Sequence, residues 1–255
     1  MFDVRGKVVL ITGSSRGIGK AIALQMAKSG SKVVISSRSK ESCDDFAKEL
    51  NNSGFEAISI PCHVGNKEEV VELVKKTFDA FGKIDVLICN AATNPAYGKL
   101  LELNDQAFNK LMQVNVQSTI WISKECIPYF SKSNGGSIIF LSSISAITGT
   151  SNIGAYGMSK AAEASIVRNL AYELGPKNIR VNAIAPGLIK TDFSKILWDN
   201  PDIIKRQKTK TPLRRIGLPK DIAGVAHFLS SEASEFITGQ FIIVDGGETI
   251  SWNQE

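Results

Sequence analysis

The chain has 255 residues, 43% of them hydrophobic, with a formal net charge of +5. That supplies one large core, so a single domain over 1–255 is expected, and the mild basic surplus suits an anionic small ligand rather than a nucleic acid. No apolar run approaches the ~18 residues of a membrane span, and no charged start followed by an apolar signal segment is present, so no membrane partner is expected.

Taken in chain order, short runs rich in β-branched residues alternate with segments of helical spacing. Predicted strands are Lys7 to Thr12, Ser31 to Ser36, Ala57 to Ile60, Ile84 to Cys89, Ser137 to Leu141, Ile179 to Ile184 and Phe241 to Val244. Predicted helices are Gly17 to Lys28, Glu41 to Leu50, Lys67 to Phe81, Asp105 to Phe130, Ala155 to Leu174 and Lys220 to Leu229. Strands that are apolar throughout belong in a parallel sheet covered on both faces. The expected fold is therefore α/β: a single-domain, Rossmann-type, doubly wound parallel sheet of seven strands with helices on both faces. Ligands of such a sheet sit beyond the carboxyl ends of its strands.

The first strand runs through Thr12-Gly13-Ser14-Ser15-Arg16-Gly17-Ile18-Gly19 into a helix. Glycines there let the backbone turn and approach a pyrophosphate, which the free N–H groups and positive end of the helix favour. A P-loop does not fit: the window ending in Gly19-Lys20 starts at Ser14, and Ala21 stands where a magnesium-binding hydroxyl is required. The second strand ends in Ser36-Ser37-Arg38 with no acid. A carboxylate there would bind the ribose 2'-hydroxyl of NADH, whereas Arg38, aided by Arg16, offers a guanidinium fork to the 2'-phosphate of NADPH. The expected cofactor is NADP(H), bound by Gly13, Ser15, Arg16, Gly17, Ile18, Gly19, Ser37 and Arg38. The alternative for Arg38 is a solvated loop arginine.

Tyr156 and Lys160, four residues apart at a predicted helix start, share one face. Ser142-Ser143 follows the fifth strand, so a hydroxyl, a phenol and an ammonium all reach the same end of the sheet. The basic stretch Lys205-Arg206-Gln207-Lys208-Thr209-Lys210, with Arg214 and Arg215, reads either as a solvated helix face or as an attractor of an acidic ligand. Cys43, Cys62, Cys89 and Cys126 form no Cys-x-x-Cys pair, which suggests free thiols in a reducing compartment. The sequence ends Trp252-Asn253-Gln254-Glu255, unlike a peroxisomal address. Cytoplasm is the expected location. His63 and His227 lack clustered ligands, so no metal is expected.

Across nearly its whole length the sequence resembles the classical short-chain dehydrogenase/reductase family. The matching motifs, in the family's order, are Thr12-Gly13-x-x-x-Gly17-Ile18-Gly19, Asn90-Ala91-Ala92, Asn115, Ser143, Tyr156-x-x-x-Lys160, Pro186-Gly187 and Thr191. The resemblance implies a catalytic set of Asn115, Ser143, Tyr156 and Lys160. Tyr156 exchanges the proton, helped by the Lys160 cation because a free phenol titrates near ~10. Ser143 polarises the substrate oxygen, and Asn115 supports a proton relay. For Asn90 and Asn115 a stabilising role through backbone hydrogen bonds is equally consistent. The resemblance adds His63, Val64, Asn90, Ala91, Tyr156, Lys160, Pro186, Gly187, Ile189 and Thr191 to the cofactor site, and a homotetramer as the assembly. Two departures stand out: His63 where the family usually has an adenine-contacting Asp, and Ala92 where it usually has Gly.

Further likeness, in His63-Val64-Gly65, Asn90 to Pro95, Ala185 to Thr191, Phe193-Ser194 and Leu197-Trp198, is to the dehydrogenase/reductase member 4 group of NADPH-dependent carbonyl and retinol reductases. The implied substrate is a small-molecule carbonyl or alcohol. A substrate loop is expected over about 190–211. Its Phe193, Leu197 and Trp198, with Thr93, Asn94 and Ser145, form the expected pocket, alongside Tyr97, Ile144 and Ile196; for the apolar residues, plain core packing is the alternative. Two alternatives stand beside this reading. One is a 3-oxoacyl reductase acting on acyl carrier protein or coenzyme A thioesters; the other is a NADPH-binding sensor without catalysis, which the intact Asn115, Ser143, Tyr156 and Lys160 disfavour.

Overall fold

A computed structural model of the chain describes residues 1–95, 97–130 and 134–251. The C-terminal residues 252–255, weighed above as an address, lie outside them. The elements follow as β1 (Val8–Thr12), α1 (Gly17–Lys28), β2 (Lys32–Ser36), α2 (Lys40–Asn52), β3 (Ala57–Ser59), α3 (Lys67–Phe81), β4 (Val86–Cys89), α4 (Asp105–Met112), α5 (Ser118–Phe130) and β5 (Gly136–Leu141). After these come α6 (Gly154–Leu174), β6 (Ile179–Pro186), α7 (Lys195–Trp198), α8 (Pro201–Lys210), α9 (Pro219–Ser230) and β7 (Phe241–Val244).

The seven strands form one sheet in the order β3-β2-β1-β4-β5-β6-β7, every pair parallel. Alternation along each strand divides the core in two. Val9 and Ile11 pack with Ile22 and Met26 of α1 and Ile222 of α9 on one face. Leu10 packs with Val70 and Leu73 of α3, Ile122 of α5 and Val167 of α6 on the other. Because β1 lies between β2 and β4, the direction of winding reverses there, and a crevice opens beyond the ends of those strands.

Helix starts follow local chemistry. Ser39 caps α2 by accepting from the Ser42 amide, Asn66 caps α3 from Glu68 and Glu69, and Asn104 caps α4 from Ala107. Helix α1 differs: Arg16 precedes it without a side-chain cap, and its first turn holds no acid. Its amino-terminal N–H groups and positive dipole end are therefore left for a ligand.

Two expectations are corrected. The helix predicted over Asp105 to Phe130 is broken by a π-helical turn at Gln113–Gln117, which an apolar repeat of three and four does not register. Its displaced carbonyls find local donors, Ser118 Oγ at 2.6 Å from the Val114 oxygen and Thr119 Oγ1 at 2.7 Å from that of Val116. The segment 190–211, expected as a loop, holds α7 and α8. The basic stretch lies on α8, with Lys205, Arg206, Lys208 and Lys210 exposed.

Candidate active site

The glycine loop is built by close backbone approach. Gly13 and Gly17 have φ of +66° and +58°, in the left-handed region. A Cβ on Gly19 would stand 2.3 Å from the Gly13 oxygen and 2.5 Å from Asn90 Nδ2. Thr12 Oγ1 accepts from the backbone N–H groups of Asn90 and Ala91, each at 3.1 Å. Ser14 is buried and bridges strands, donating to the Ile11 oxygen at 2.8 Å and accepting from Ser36 N at 2.9 Å. The stabilising role of Asn90 is thus visible at the carboxyl ends of β1 and β4, where the loop is held open over α1. A backbone cradle that a Cβ would fill, at an uncapped helix start, fits a pyrophosphate.

A cleft of about 210 Å³ runs from this loop. At one end lie Ser15, Arg16, Ser37 and Arg38, with Ser15 Oγ donating to Ser37 Oγ at 3.0 Å. Both arginines are exposed and enter no ion pair among the described residues. His63 and Val64 line the neighbouring wall. His63 folds back so that Nδ1 accepts from Gly65 N at 3.1 Å, and its own N–H donates to Glu69 at 2.7 Å. Lys110 of α4 lines this wall as well. Sequence reasoning missed it, although it precedes Val114, another lining residue, by one helical turn.

At the other end Tyr156 and Lys160 both line the cleft from α6, with the Lys160 Nζ 5.6 Å from the Tyr156 ring centroid. The Ser143 hydroxyl stands near enough to Tyr156 to lower its phenol, and Ser143 Oγ accepts from Ser145 N at 3.1 Å. The short turn Ile144–Ala146 can seat here because Gly157 of α6 has no side chain; a Cβ there would stand 2.6 Å from the Ser145 oxygen. Asn115, fully buried in the π turn, accepts from Thr93 N at 2.8 Å and donates to the Thr93 oxygen and to Ser159 Oγ, each at 3.0 Å. Ser159 Oγ donates in turn to the Tyr156 carbonyl at 2.8 Å. Asn115 therefore ties the strand-end loop to the turn of α6 that carries the phenol.

Lys160 is 1% exposed and donates to the Leu141 oxygen at 2.8 Å and to Glu163 Oε1 at 2.7 Å. Glu163, 2% exposed, was not singled out from the sequence. Burial pushes its carboxyl up to about 7, against the lowering pull of Lys160. Burial also pushes the Tyr156 phenol up; Lys160 lowers it, Glu163 raises it and Ser143 lowers it, and the net displacement is upward. The ammonium acts in the expected direction, against burial. For Lys160 burial favours loss of the proton, yet Glu163 and Tyr156 outweigh this and the ammonium is held above its usual range.

Thr191 and Phe193 close the cleft from the 190–211 segment. The Phe193 ring centroid is 6.0 Å from that of Tyr156, and a Cβ on Gly17 would meet Thr191 Cγ2 at 3.5 Å. Trp198 instead anchors the segment, donating from Nε1 to the Thr191 oxygen at 2.7 Å while Lys190 Nζ sits 5.1 Å from its ring centroid. Of the other expected residues, Gly13, Gly17, Ile18, Asn90, Ala91, Thr93 and Pro186 line the cleft; Gly19, Asn94, Asn115, Ser143, Ser145, Leu197 and Trp198 do not, and Ser142 lines it in place of Ser143. Ile189 packs its side chain in the core. Gly187 lies against Asp245 and lines a separate small cavity. The four cysteines are buried free thiols. Among the described residues no metal-ligand cluster occurs, and no helix is long and apolar enough to cross a membrane.

A phosphate cradle at the switch point of a doubly wound sheet, leading to a Ser, Tyr and Lys group, defines a dinucleotide-dependent oxidoreductase. The comparisons agree. Residues 13–249 match the family described as Enoyl-(Acyl carrier protein) reductase. The chain is 40% identical over 244 residues to Dehydrogenase/reductase SDR family member 4 of Sus scrofa, spanning 96% of this chain and 88% of that protein. It is also 40% identical over 246 residues to the Caenorhabditis elegans protein of the same name, 95% of each. A solved 7α-hydroxysteroid dehydrogenase, complexed with NADH and 7-oxo glycochenodeoxycholic acid, superposes with a TM-score of 0.93 at 36% identity over 96% of this chain and 95% of that one. A gluconate 5-dehydrogenase from Burkholderia cenocepacia in complex with NADP and tartrate gives 0.94 at 28% identity over 98% of each. The chain belongs to the short-chain dehydrogenase/reductase family and is an NAD(P)-dependent oxidoreductase.

Proposed function

We propose that the protein is an NADP(H)-dependent reductase of small apolar carbonyl compounds, working in the cytoplasm as a homotetramer and running the reverse oxidation on secondary alcohols. The observation that carries the cofactor choice is the end of β2, where Ser37 and Arg38 line the cleft beside Arg16 and no carboxylate stands among them. Two unpaired guanidinium groups favour a 2'-phosphate, and an acid would repel it. The glycine loop and the start of α1 hold the pyrophosphate. When bound, the reduced nicotinamide supplies hydride.

Ser143 and Tyr156 then receive the carbonyl oxygen, and Tyr156 gives it a proton as negative charge develops. Lys160 stabilises the resulting phenolate. Asn115 acts through Thr93 and Ser159, keeping the strand-end loop and α6 in register. Phe193 supplies the apolar wall opposite the phenol. The relatives' names fit this chemistry: one solved relative was captured with a 7-oxo steroid, itself a ketone.

A second reading is reduction of 3-oxoacyl thioesters on acyl carrier protein or coenzyme A, favoured by the exposed basic face of α8. NADPH and NADH oxidation over a panel of ketones, dicarbonyls, retinal and acetoacetyl thioesters tests both. We expect NADPH with the apolar ketones, with turnover nearly insensitive to salt. A strong thioester preference that weakens as ionic strength rises supports the second reading instead.

A further inference from the structure

Behind the Tyr156 and Lys160 pair lies a buried polar cluster that the proposed chemistry does not use. Its centre is Glu163, three residues beyond Lys160 on α6, with an Oε1 to Nζ distance of 2.7 Å. The side chains of this pair are 2% and 3% exposed. The second carboxyl oxygen, Oε2, is buried without a hydrogen-bond partner, as is Ser123 Oγ of α5. A buried ion pair is seldom a gain over apolar side chains of the same size, so stability alone is a weak reason for a carboxyl here.

The charged and titratable groups around Glu163 are few. From its own helix come Lys160 and Tyr156. From β4 comes Cys89, whose thiol burial pushes far up, so it stays neutral. The end of β5 contributes the Ser142 hydroxyl and the Leu141 carbonyl, and α5 the Ser123 hydroxyl beside Cys89. A charge count therefore decides how the cluster behaves. With Glu163 ionised and Lys160 protonated, the group is neutral while Tyr156 keeps its proton and carries one net negative charge once the phenol ionises. With a neutral residue at 163, the group carries one net positive charge first, and ionising the phenol neutralises it. In a dry environment the neutral state is preferred in each case.

We infer that Glu163 is a positioning residue that sets the pH range over which Tyr156 works: as the counter-charge of Lys160 when ionised, it keeps Tyr156 protonated, the state that donates to a carbonyl, to higher pH than a neutral residue at this position would. The inference rests on Tyr156 being the proton donor, as proposed above.

The test is a spectrophotometric titration of the phenolate in the full-length protein and in Glu163→Gln, each with the Tyr156→Phe background subtracted to remove Tyr97, Tyr129 and Tyr172. In Glu163→Gln the Tyr156 phenolate should form at least about one pH unit lower, and the pH profiles of kcat/KM for reduction and for oxidation should both move down by a similar amount. Glu163→Asp, which keeps the charge, should restore the wild-type titration. Glu163→Leu should behave as Gln does, and serves if Gln prevents folding. A folded Gln or Leu variant whose phenolate forms at the wild-type pH or higher, because Lys160 sheds its proton instead, overturns the inference. Full activity in Tyr156→Phe would sink the underlying proposal separately, while the phenolate titration would still report on Glu163.

Discussion

Asn90 donates from its side-chain amide to the carbonyl oxygens of both Thr12 and Gly13, each at 2.9 Å, so the end of β4 grips the turn on which the dinucleotide rests. Asn90→Ala leaves both oxygens short of a donor. We expect a loss of about 1–3 kcal/mol in unfolding free energy, read by urea denaturation, together with weaker NADPH binding. Unchanged stability and affinity would remove this tie from the account.

Gly19→Ala tests the loop from the helix side. Its Cβ would meet the Gly13 oxygen at 2.3 Å, and backbone cannot step aside as a side chain can. NADPH affinity should fall at least about tenfold, a cost of ~1.4 kcal/mol or more. Gly224 is the control, because it sits exposed in α9 with an ordinary helical backbone and nothing within 4 Å of where an added methyl group would stand. Gly224→Ala should raise stability by about 0.5–1 kcal/mol and leave binding alone.

Arg38→Asp places a carboxylate where the β2 end meets the cleft. The ratio of kcat/KM for NADPH to that for NADH should drop by about tenfold or more, with Arg16→Ala moving it the same way by less. An unaltered ratio in Arg38→Asp means that Arg38 is a solvated loop residue, as the sequence also allowed.

Glu163 makes a separate prediction about stability and pH. Its carboxyl is raised by burial from the ordinary 4.5 to about 7 in the folded chain. A group raised on folding contributes fully below its unfolded value, and that contribution is lost as pH rises through the folded one. The thermal midpoint of the wild type should therefore fall relative to Glu163→Gln between about pH 4.5 and 7. A constant difference across that window would show that Glu163 does not titrate there.

What the sequence made legible, and what it hid, follows from how each feature is written. The sheet and most helices are legible because buried parallel strands read as apolar runs and amphipathic helices repeat every three or four residues. Helix α8 is hidden among basic residues, yet Asn200-Pro201-Asp202 is a start signal: Asn200 accepts from the Asp202 amide, Pro201 needs no donor there and Asp202 suits the dipole. The π turn at Asn115 has no such signal, since one extra residue per turn leaves composition unchanged. Glu163 is hidden for a different reason. A glutamate in a helix reads as solvated, and only the packing of α6 against β4 and α5 reveals that this one is enclosed with Lys160. His63 could be placed beside the cleft by the motif around it, but its fold-back onto Gly65 depends on a turn that only coordinates give.

A Tyr156 that supplies the proton in an NADPH-driven carbonyl reduction matters to turnover and not to dinucleotide binding. Wild type and Tyr156→Phe are compared for NADPH binding by fluorescence and for single-turnover NADPH oxidation with an apolar ketone. Affinity should be near-equal, since the ring that lines the cleft is retained, and turnover should fall by about 10²–10⁴-fold in the variant. Near-equal turnover in the two proteins would contradict that role of Tyr156.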